Sequence, residues 1–254
     1  MMHRTTQIAV FIFAASLCGL AATRANAQPA SNNAAPDYTA LLAAPDRSDD
    51  DRATDKRRDP LPLLQFAAPK PGMKVLDMGA GGGYSTELIA RAVAPNGTVY
   101  GQNPTEGLDK LKTAFTARLA TPGMKDAQAD VRPFDDPAPP GVTLDMITFL
   151  FFYHDTTYMT VDRVAMDKAM FAALKPGGTL VIADHAALAG QGTSVGKTLH
   201  RIDEDTLKQE VEAAGFKLVG EGNFWRNAAD TKDYPSYKKD VPIDNFVLKF
   251  QKPN

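Results

Sequence analysis

The stretch VLDMGAGGGY, residues 75–84, decides the fold because it joins an apolar strand to a helix through a run of glycines. Residues 74–78 form a short apolar run, which is typical of a strand buried on both faces. From Tyr84 to Val93 the apolar residues recur at helical spacing. A strand, a glycine turn and a helix in this order predict the first unit of an α/β sheet, with a ligand at the carboxyl end of the strand.

The alternation of strands and helices continues along the rest of the chain. Six further strands are predicted at residues 98–102, 127–131, 144–151, 179–183, 216–220 and 246–250. Helices are predicted between most of them, at residues 106–120, 161–174 and 203–214. No helix separates the last two strands, so they are expected to pair antiparallel. The predicted fold class is therefore α/β: Rossmann-like and doubly wound, with a seven-stranded, mostly parallel sheet and an antiparallel last strand.

The first 27 residues have the features of a signal peptide. Arg4 precedes an apolar run over residues 8–22, and Ala25-Asn26-Ala27 provides a small-x-small cleavage site. The apolar run is shorter than the ~20 residues that a membrane-spanning helix needs. The sequence therefore predicts cleavage after Ala27, a periplasmic or secreted protein, and no membrane association after cleavage. An uncleaved N-terminal anchor is the alternative interpretation.

The residues after the predicted leader divide into three segments. Residues 28–36 are predicted to be a disordered lead-in, residues 37–70 a helical extension, and residues 71–254 the α/β domain. The leader holds two of the 28 basic residues, none of the 30 acidic residues and the single cysteine, so the remainder has a formal charge of −4. These counts exclude thiol catalysis and cysteine-ligated zinc after cleavage. An acidic chain also disfavours a nucleic-acid partner.

The spacing of the glycines distinguishes between classes of ligand. A dinucleotide-binding turn carries glycine at its first, third and sixth positions, and here the sixth position is Tyr84. The observed spacing is G-x-G-x-G over Gly79, Gly81 and Gly83, with Asp77 two residues before it. In this motif the chain resembles the class I S-adenosylmethionine-dependent methyltransferases. The resemblance extends from about residue 61 to residue 250, including the LKPGG turn at residues 174–178, and is closest to a bacterial group of exported methyltransferases.

The resemblance implies a cofactor, S-adenosylmethionine, and a set of residues that would bind it. Glycines allow the main chain to approach a ligand closely. The family carries an acid after its second strand for the ribose hydroxyls, and an acid after its third strand for the adenine amine. At the ribose position this chain has two amides, which can also bond hydroxyls. The implied cofactor-binding residues are Asp77, Gly79, Gly81, Gly83, Gln102, Asn103 and Asp130.

Three histidines follow the predicted sheet strands. His154 follows the fourth strand, His185 follows the fifth, and His200 precedes the next helix. Carboxyl ends of parallel strands meet at one edge, so all three are expected beside the glycine turn. Histidine can act as a general base near neutral pH. The three are therefore the predicted catalytic residues, with His154 as the first choice for deprotonating an acceptor.

The same histidines raise the alternative of a metal site. Two or three imidazoles with an adjacent carboxylate make a plausible ligand set. No H-x-x-H or H-E-x-x-H spacing is present, so the sequence predicts no metal ligands. The predicted function is S-adenosylmethionine-dependent O- or N-methylation of a small-molecule acceptor, and the sequence gives no indication of the oligomeric state. The alternative is an exported non-catalytic protein that binds a metal or another ligand on a methyltransferase scaffold.

Overall fold

The computed structural model describes residues 1–2 and 34–254. Every element named below belongs to one compact unit, Asn33–Asn254. The predicted leader, its cleavage site after Ala27 and most of the predicted lead-in lie outside the described residues. Among the described residues, no helix combines the length and the apolar character that crossing a bilayer requires.

Seven strands form one sheet, which confirms the predicted fold class. The strands are β1 (Lys74–Met78), β2 (Thr98–Asn103), β3 (Ala127–Val131), β4 (Leu144–Leu150), β5 (Leu174–His185), β6 (Lys217–Gly222) and β7 (Asn245–Gln251). Their order across the sheet is β3-β2-β1-β4-β5-β7-β6. The first five run parallel, whereas β7 lies antiparallel to both β5 and β6.

Eight α-helices accompany the sheet in the part of the chain that is described. They are α1 (Tyr38–Leu42), α2 (Asp49–Arg58), α3 (Pro60–Ala67), α4 (Tyr84–Val93), α5 (Asp109–Arg118), α6 (Arg163–Ala173), α7 (Gly196–Leu199) and α8 (Glu204–Ala213). Several boundaries differ from the prediction by one to three residues, and the largest difference is that residues 174–178 belong to β5 instead of forming a separate turn. The pairing register with β4 shifts at this point, so these residues form an irregular start to the strand.

The central strands are apolar on both faces because each face packs against its own core. Leu76 and Met78 belong to one apolar cluster, while Val75, which points to the opposite face, belongs to another. All three side chains are fully buried. Burial on both faces explains why the consecutive residues Val75 and Leu76, which point to opposite faces, are both apolar.

The sheet order positions the ligand crevice. The chain runs outward from β1 to β2 and β3 on one side and from β4 to β5 on the other, so the order reverses between β1 and β4. Doubly wound sheets bind ligands outside the carboxyl ends of the strands at such a reversal. The glycine turn after β1 and residues 151–155 after β4 are therefore the segments that border the crevice.

The helical extension is attached to the domain beside the glycine turn. An apolar cluster joins the two parts, and its buried members are Tyr38, Leu64, Leu88 and Ala92. Arg118 of α5 pairs with Asp51 of α2 and with Glu87 of α4, each at 2.7 Å. Its Nε also donates to the carbonyl oxygen of Gly82 at 3.0 Å. The extension therefore supports the turn through one shared arginine.

A buried proton-sharing network lies on the other side of the sheet. The hydroxyl group of Tyr153 is 2.9 Å from a carboxylate oxygen of Asp167 and 2.9 Å from one of Glu210. A phenol has one proton, so one of the two carboxyl groups must be protonated to satisfy this arrangement. Glu210 is paired with Arg163 at 2.6 Å, whereas burial raises the pKa of Asp167 to about 7. Asp167 is therefore the carboxyl group that holds a proton below about pH 7.

This network predicts a pH-dependent gain in stability for Asp167→Asn. Because the pKa of Asp167 is higher in the folded chain (about 7) than when unfolded, the folded wild type loses stability as pH rises through 7. Asparagine cannot ionise, so the variant does not share this loss. From pH 5 to pH 8 its free energy of unfolding is expected to rise by about 2 kcal/mol relative to that of the wild type. Urea unfolding at both pH values measures the difference. Asp135→Asn, at an exposed position, is the control. The prediction is contradicted if the stability difference between Asp167→Asn and wild type changes no more between pH 5 and pH 8 than that of the control.

Candidate functional site

The glycine turn has a backbone path that favours glycine. Gly79, Gly81 and Gly83 have φ angles of 67°, 55° and 87°, in the left-handed region. Gly79 is also closely packed, since a Cβ there would lie 3.1 Å from the Cβ and Cγ atoms of Phe152. At Gly81 a Cβ would meet only Leu111, at 3.7 Å, so the space above this residue is open.

Gln102 and Asn103 hold the glycine turn in place. The backbone N–H of Gly79 donates to Gln102 Oε1 at 3.0 Å, and that of Gly81 donates to Asn103 Oδ1 at 3.0 Å. The amide nitrogens are also engaged: Asn103 Nδ2 donates to the Gly81 carbonyl, and Gln102 Nε2 to the Arg132 carbonyl. Both side chains are buried. Their contact with a ribose stays a prediction, and their observed contacts position the turn.

Asp77 connects three elements below the turn. Its carboxylate accepts hydrogen bonds from Ser85 at 2.8 Å and Thr86 at 2.6 Å, both in α4, and from Thr148 of β4 at 2.8 Å. Burial raises the pKa of Asp77, and the three hydroxyl groups oppose that shift by stabilising the charge. Asp77 therefore fixes the turn between β1 and α4. A direct contact with a cofactor stays a prediction.

Asp130 provides the clearest sign that the turn belongs to a ligand site. It lies near the end of β3, paired in register with Gln102. Its Oδ2 atom is buried and has no hydrogen-bond partner among the described residues, and burial raises its pKa. An unpaired buried carboxylate oxygen is costly unless a donor completes it. An amine of a bound ligand is such a donor, so Asp130 and the glycine turn fit S-adenosylmethionine.

His154 lies between two carboxylates just after β4. It belongs to a short 3₁₀ turn, Tyr153–Thr157. Its Nδ1 is 2.7 Å from Asp184 Oδ1, and its backbone N–H donates to Asp184 Oδ2 at 2.8 Å. Its Nε2 is 3.2 Å from Asp155 Oδ1. Both ring nitrogens are thus engaged by neighbouring side chains.

The structure brings all three predicted histidines together. The ring of His154 lies 5.3 Å from that of His200 and 5.6 Å from that of His185, measured between centroids. His200 Nδ1 is 3.2 Å from Asp155 Oδ1 and 3.3 Å from His154 Nε2. His185 is separate from this contact, because its Nδ1 bonds Asn245 Oδ1 at 2.6 Å.

His154 and His185 differ in electrostatics. Burial lowers the pKa of His154, but the carboxylates of Asp184 and Asp155 outweigh burial and raise it to about 10. Burial lowers the pKa of His185 and keeps its ring neutral. Since the Asn245 oxygen accepts from Nδ1, the neutral tautomer leaves the lone pair on His185 Nε2. The predicted first choice for a base was His154, and the geometry favours His185.

A cavity of about 930 Å³ opens over this cluster. All three histidines line it, together with the aromatic side chains of Phe151 and Trp225. Its charged lining residues are Arg57, Arg58, Lys238, Lys239, Asp155 and Asp240. Four basic side chains against two acidic ones favour an anionic ligand. The cavity therefore combines an anion-attracting rim with a neutral imidazole.

Several of these residues were not predicted from the sequence. Asn245 was missed, although antiparallel pairing of β5 with β7 sets it directly opposite His185. Phe152 was missed because apolar side chains after a strand ordinarily indicate core. Arg57 and Arg58 were assigned to the helical extension, and nothing in their local pattern indicates that α2 reaches the cavity.

Comparisons with known proteins identify similar sequences and structures. A family model described as a methyltransferase domain matches residues 51–221. The chain is 31% identical over 190 residues to the ubiquinone/menaquinone biosynthesis C-methyltransferase UbiE of Shewanella frigidimarina, covering 61% of this chain and 71% of the relative.

Two solved structures show the same fold. A SAM-dependent methyltransferase from Aquifex aeolicus superposes with a TM-score of 0.59 at 17% identity, covering 85% of this chain and 99% of that one. The glycopeptide N-methyltransferase MtfA, complexed with sinefungin, superposes with a TM-score of 0.56 at 13% identity, covering 78% and 86%.

Proposed function

The chain belongs to the methyltransferase domain family and is an S-adenosylmethionine-dependent methyltransferase, and from this premise we propose that it methylates a small anionic acceptor bound in the 930 Å³ cavity. The observation that carries the proposal is that a neutral His185, at the end of β5, lines the same cavity as four basic side chains. The carboxyl end of β5 is on the side of the sheet reversal next to the glycine turn.

The cofactor side of the site would use the turn and one acid. The backbone of Gly79 to Gly83 permits close approach, and Gln102 and Asn103 keep the turn rigid from below. Asp130 would accept a hydrogen bond from the adenine amine through its unpaired oxygen. When bound, S-adenosylmethionine supplies an electrophilic methyl group on its sulfonium.

The acceptor side of the site would supply positioning and one base. Phe151 and Trp225 offer flat apolar surfaces, and Arg57 and Arg58 offer positive charge to an acidic substituent. His185 Nε2 takes the proton from the acceptor hydroxyl or amine, while Asn245 holds the ring in the required tautomer. Most of the rate gain in such a transfer comes from alignment, so no further catalytic group is required.

An acceptor screen tests this proposal. The full-length protein is incubated with methyl-labelled S-adenosylmethionine and a panel of small phenols, catechols, amines and their carboxylated counterparts. We expect transfer to ring compounds that carry an acidic group, and weaker transfer to the uncharged counterparts. Equal transfer to charged and uncharged compounds, or transfer only to protein or nucleic acid, contradicts the proposed acceptor class.

Carbon methylation is the second candidate. The Shewanella frigidimarina relative is named as a C-methyltransferase, and the chain covers 71% of its length. Removal of a ring hydroxyl proton by His185 would also increase the electron density of an aromatic carbon. Nuclear magnetic resonance of the labelled product distinguishes the two, since the shift of the new methyl group differs between oxygen, nitrogen and carbon.

We also propose that the protein acts outside the cytoplasm, on the basis of residues 1–27 alone. N-terminal sequencing of the protein recovered from the periplasmic fraction tests this location. A mature terminus at Gln28 agrees with the proposal, and an intact Met1 in the cytoplasmic fraction contradicts it.

A further inference from the structure

We propose that His154, Asp155 and His200 form a binding site for a divalent transition-metal ion. The three donor atoms His154 Nε2, Asp155 Oδ1 and His200 Nδ1 lie 3.2 to 3.3 Å from one another. They form a nearly equilateral triangle at the side of the cavity. The proposal goes beyond methyl transfer and does not depend on the acceptor proposed above.

The size of the triangle matches the coordination geometry of zinc. Zinc binds imidazole nitrogen and carboxylate oxygen at about 2.0–2.2 Å with tetrahedral angles, so neighbouring ligand atoms are about 3.3 Å apart. The observed distances of 3.2 to 3.3 Å need little adjustment to accept the ion. Two imidazoles and one carboxylate favour zinc or another first-row transition metal over magnesium or calcium, which prefer oxygen ligands.

A second layer of contacts orients the donors as a metal site requires. Asp184 is fully buried and accepts from His154 Nδ1 at 2.7 Å, which turns Nε2 toward the triangle. Metal-binding histidines ordinarily have such a carboxylate or carbonyl partner on the other ring nitrogen. The hydroxyl group of Tyr158 donates to Asp155 Oδ1 and orients that carboxylate.

His200 reaches the triangle through an unusual backbone conformation. It caps the C-terminus of α7 in the left-handed region, with φ 49°, and its N–H donates to the Gly196 carbonyl at 3.0 Å. The rings of Tyr158 and Tyr237 meet the imidazole edge to face, at centroid distances of 5.8 and 5.1 Å. The imidazole is therefore held at the triangle from two sides.

The site leaves room for an exchangeable ligand. The protein supplies three donors, and a tetrahedral ion takes a fourth ligand, as in catalytic zinc sites. Since all three residues line the 930 Å³ cavity, water or an oxygen atom of a bound molecule can occupy that position. The ligand class is an anionic oxygen donor, such as a carboxylate or a phenolate.

The sequence raises this site only as an alternative because the ligands do not follow a helical metal motif. His154 and Asp155 are adjacent in a 3₁₀ turn, and His200 is 45 residues beyond Asp155. The fold brings them together: the 3₁₀ turn follows β4, and His200 lies in the connection between β5 and α8.

Metal titration of the tag-free full-length protein tests the proposal. The protein is stripped with a chelator, dialysed, and titrated with Zn²⁺ in a calorimeter; Co²⁺ replaces Zn²⁺ for visible spectroscopy. We expect one equivalent of Zn²⁺ to bind and the Co²⁺ protein to show the intense bands of a four-coordinate nitrogen and oxygen site. Less than about 0.2 equivalent bound, or only the weak spectrum of hydrated Co²⁺, overturns the proposal.

Two variants assign the binding to these residues. His200→Ala and Asp155→Asn each remove one ligand, and each is expected to weaken Zn²⁺ binding at least ~100-fold, more than changes in the surrounding layer ordinarily do. His185→Ala removes a histidine of the same cavity that is bonded to Asn245, and it is expected to bind Zn²⁺ within about threefold of wild type. Equal losses in His200→Ala and His185→Ala overturn the assignment. Because binding is measured without cofactor or acceptor, a failure of the proposed methyl transfer leaves this test unaffected.

Discussion

Gly81→Val is expected to abolish S-adenosylmethionine binding, with at least a ~100-fold rise in Kd, while the chain remains folded. A Cβ at this position meets only Leu111, at 3.7 Å, so the folded protein has space for the new side chain. That same space lies over the turn where the cofactor needs close approach of the backbone. The added methyl groups therefore occupy the ligand's position and not the core.

The backbone cost of this substitution has a matched control. Gly72 also has a left-handed φ, of 85°, and a Cβ there meets nothing within 4 Å. Gly72→Val therefore carries a similar conformational penalty in a turn before β1, away from the proposed site. We expect similar thermal unfolding of the two variants and loss of binding in Gly81→Val alone. If Gly81→Val binds the cofactor as tightly as Gly72→Val does, the cofactor does not lie over this turn.

His185→Gln is expected to lower kcat by about 10² to 10⁴, the usual contribution of a positioned general base. Glutamine keeps a polar group beside Asn245 but offers no nitrogen lone pair to the cavity. The expected loss is in the chemical step, so the Kd for S-adenosylmethionine should stay within about threefold of wild type. Single-turnover measurements with an acceptor from the screen isolate that step from product release.

A positioning variant separates the roles of the residues around this base. Asn245→Ala removes the partner of His185 Nδ1 and leaves the imidazole itself in place. We expect kcat to fall less than in His185→Gln. Without Asn245 either ring nitrogen can carry the proton, so the required tautomer is one of two that are populated. Turnover of His185→Gln above half the wild-type value contradicts the assignment of His185 as the base.

The strands of the sheet could be predicted from the sequence because the spacing of apolar residues along each strand and helix follows the faces that the fold buries. Strands β1 and β3 and helix α4 begin and end at the predicted residues, and the apolar residues of β1 and α4 are buried as their spacing indicates. The prediction for β5 was too short because a register shift against β4 depends on strand pairing, which no local pattern records.

The sequence predicted that the three histidines lie close together, but not the contacts that each of them makes. The predicted topology places His154, His185 and His200 near the carboxyl ends of parallel strands, and in the structure their rings lie close together. Which imidazole is neutral depends on Asp184, Asp155 and Asn245, whose distances only the folded chain defines. The side-chain amides of Gln102 and Asn103 bond the glycine turn, a contact that their sequence position alone does not indicate.

The most direct test is isothermal calorimetry of the full-length protein with S-adenosylmethionine and with S-adenosylhomocysteine. The glycine turn and the unpaired oxygen of Asp130 predict that both ligands bind with micromolar Kd and a stoichiometry of one. No heat from either ligand at millimolar concentration, with the protein shown to be folded by circular dichroism, contradicts the cofactor site. That result would instead support a protein that uses the methyltransferase scaffold to bind another ligand.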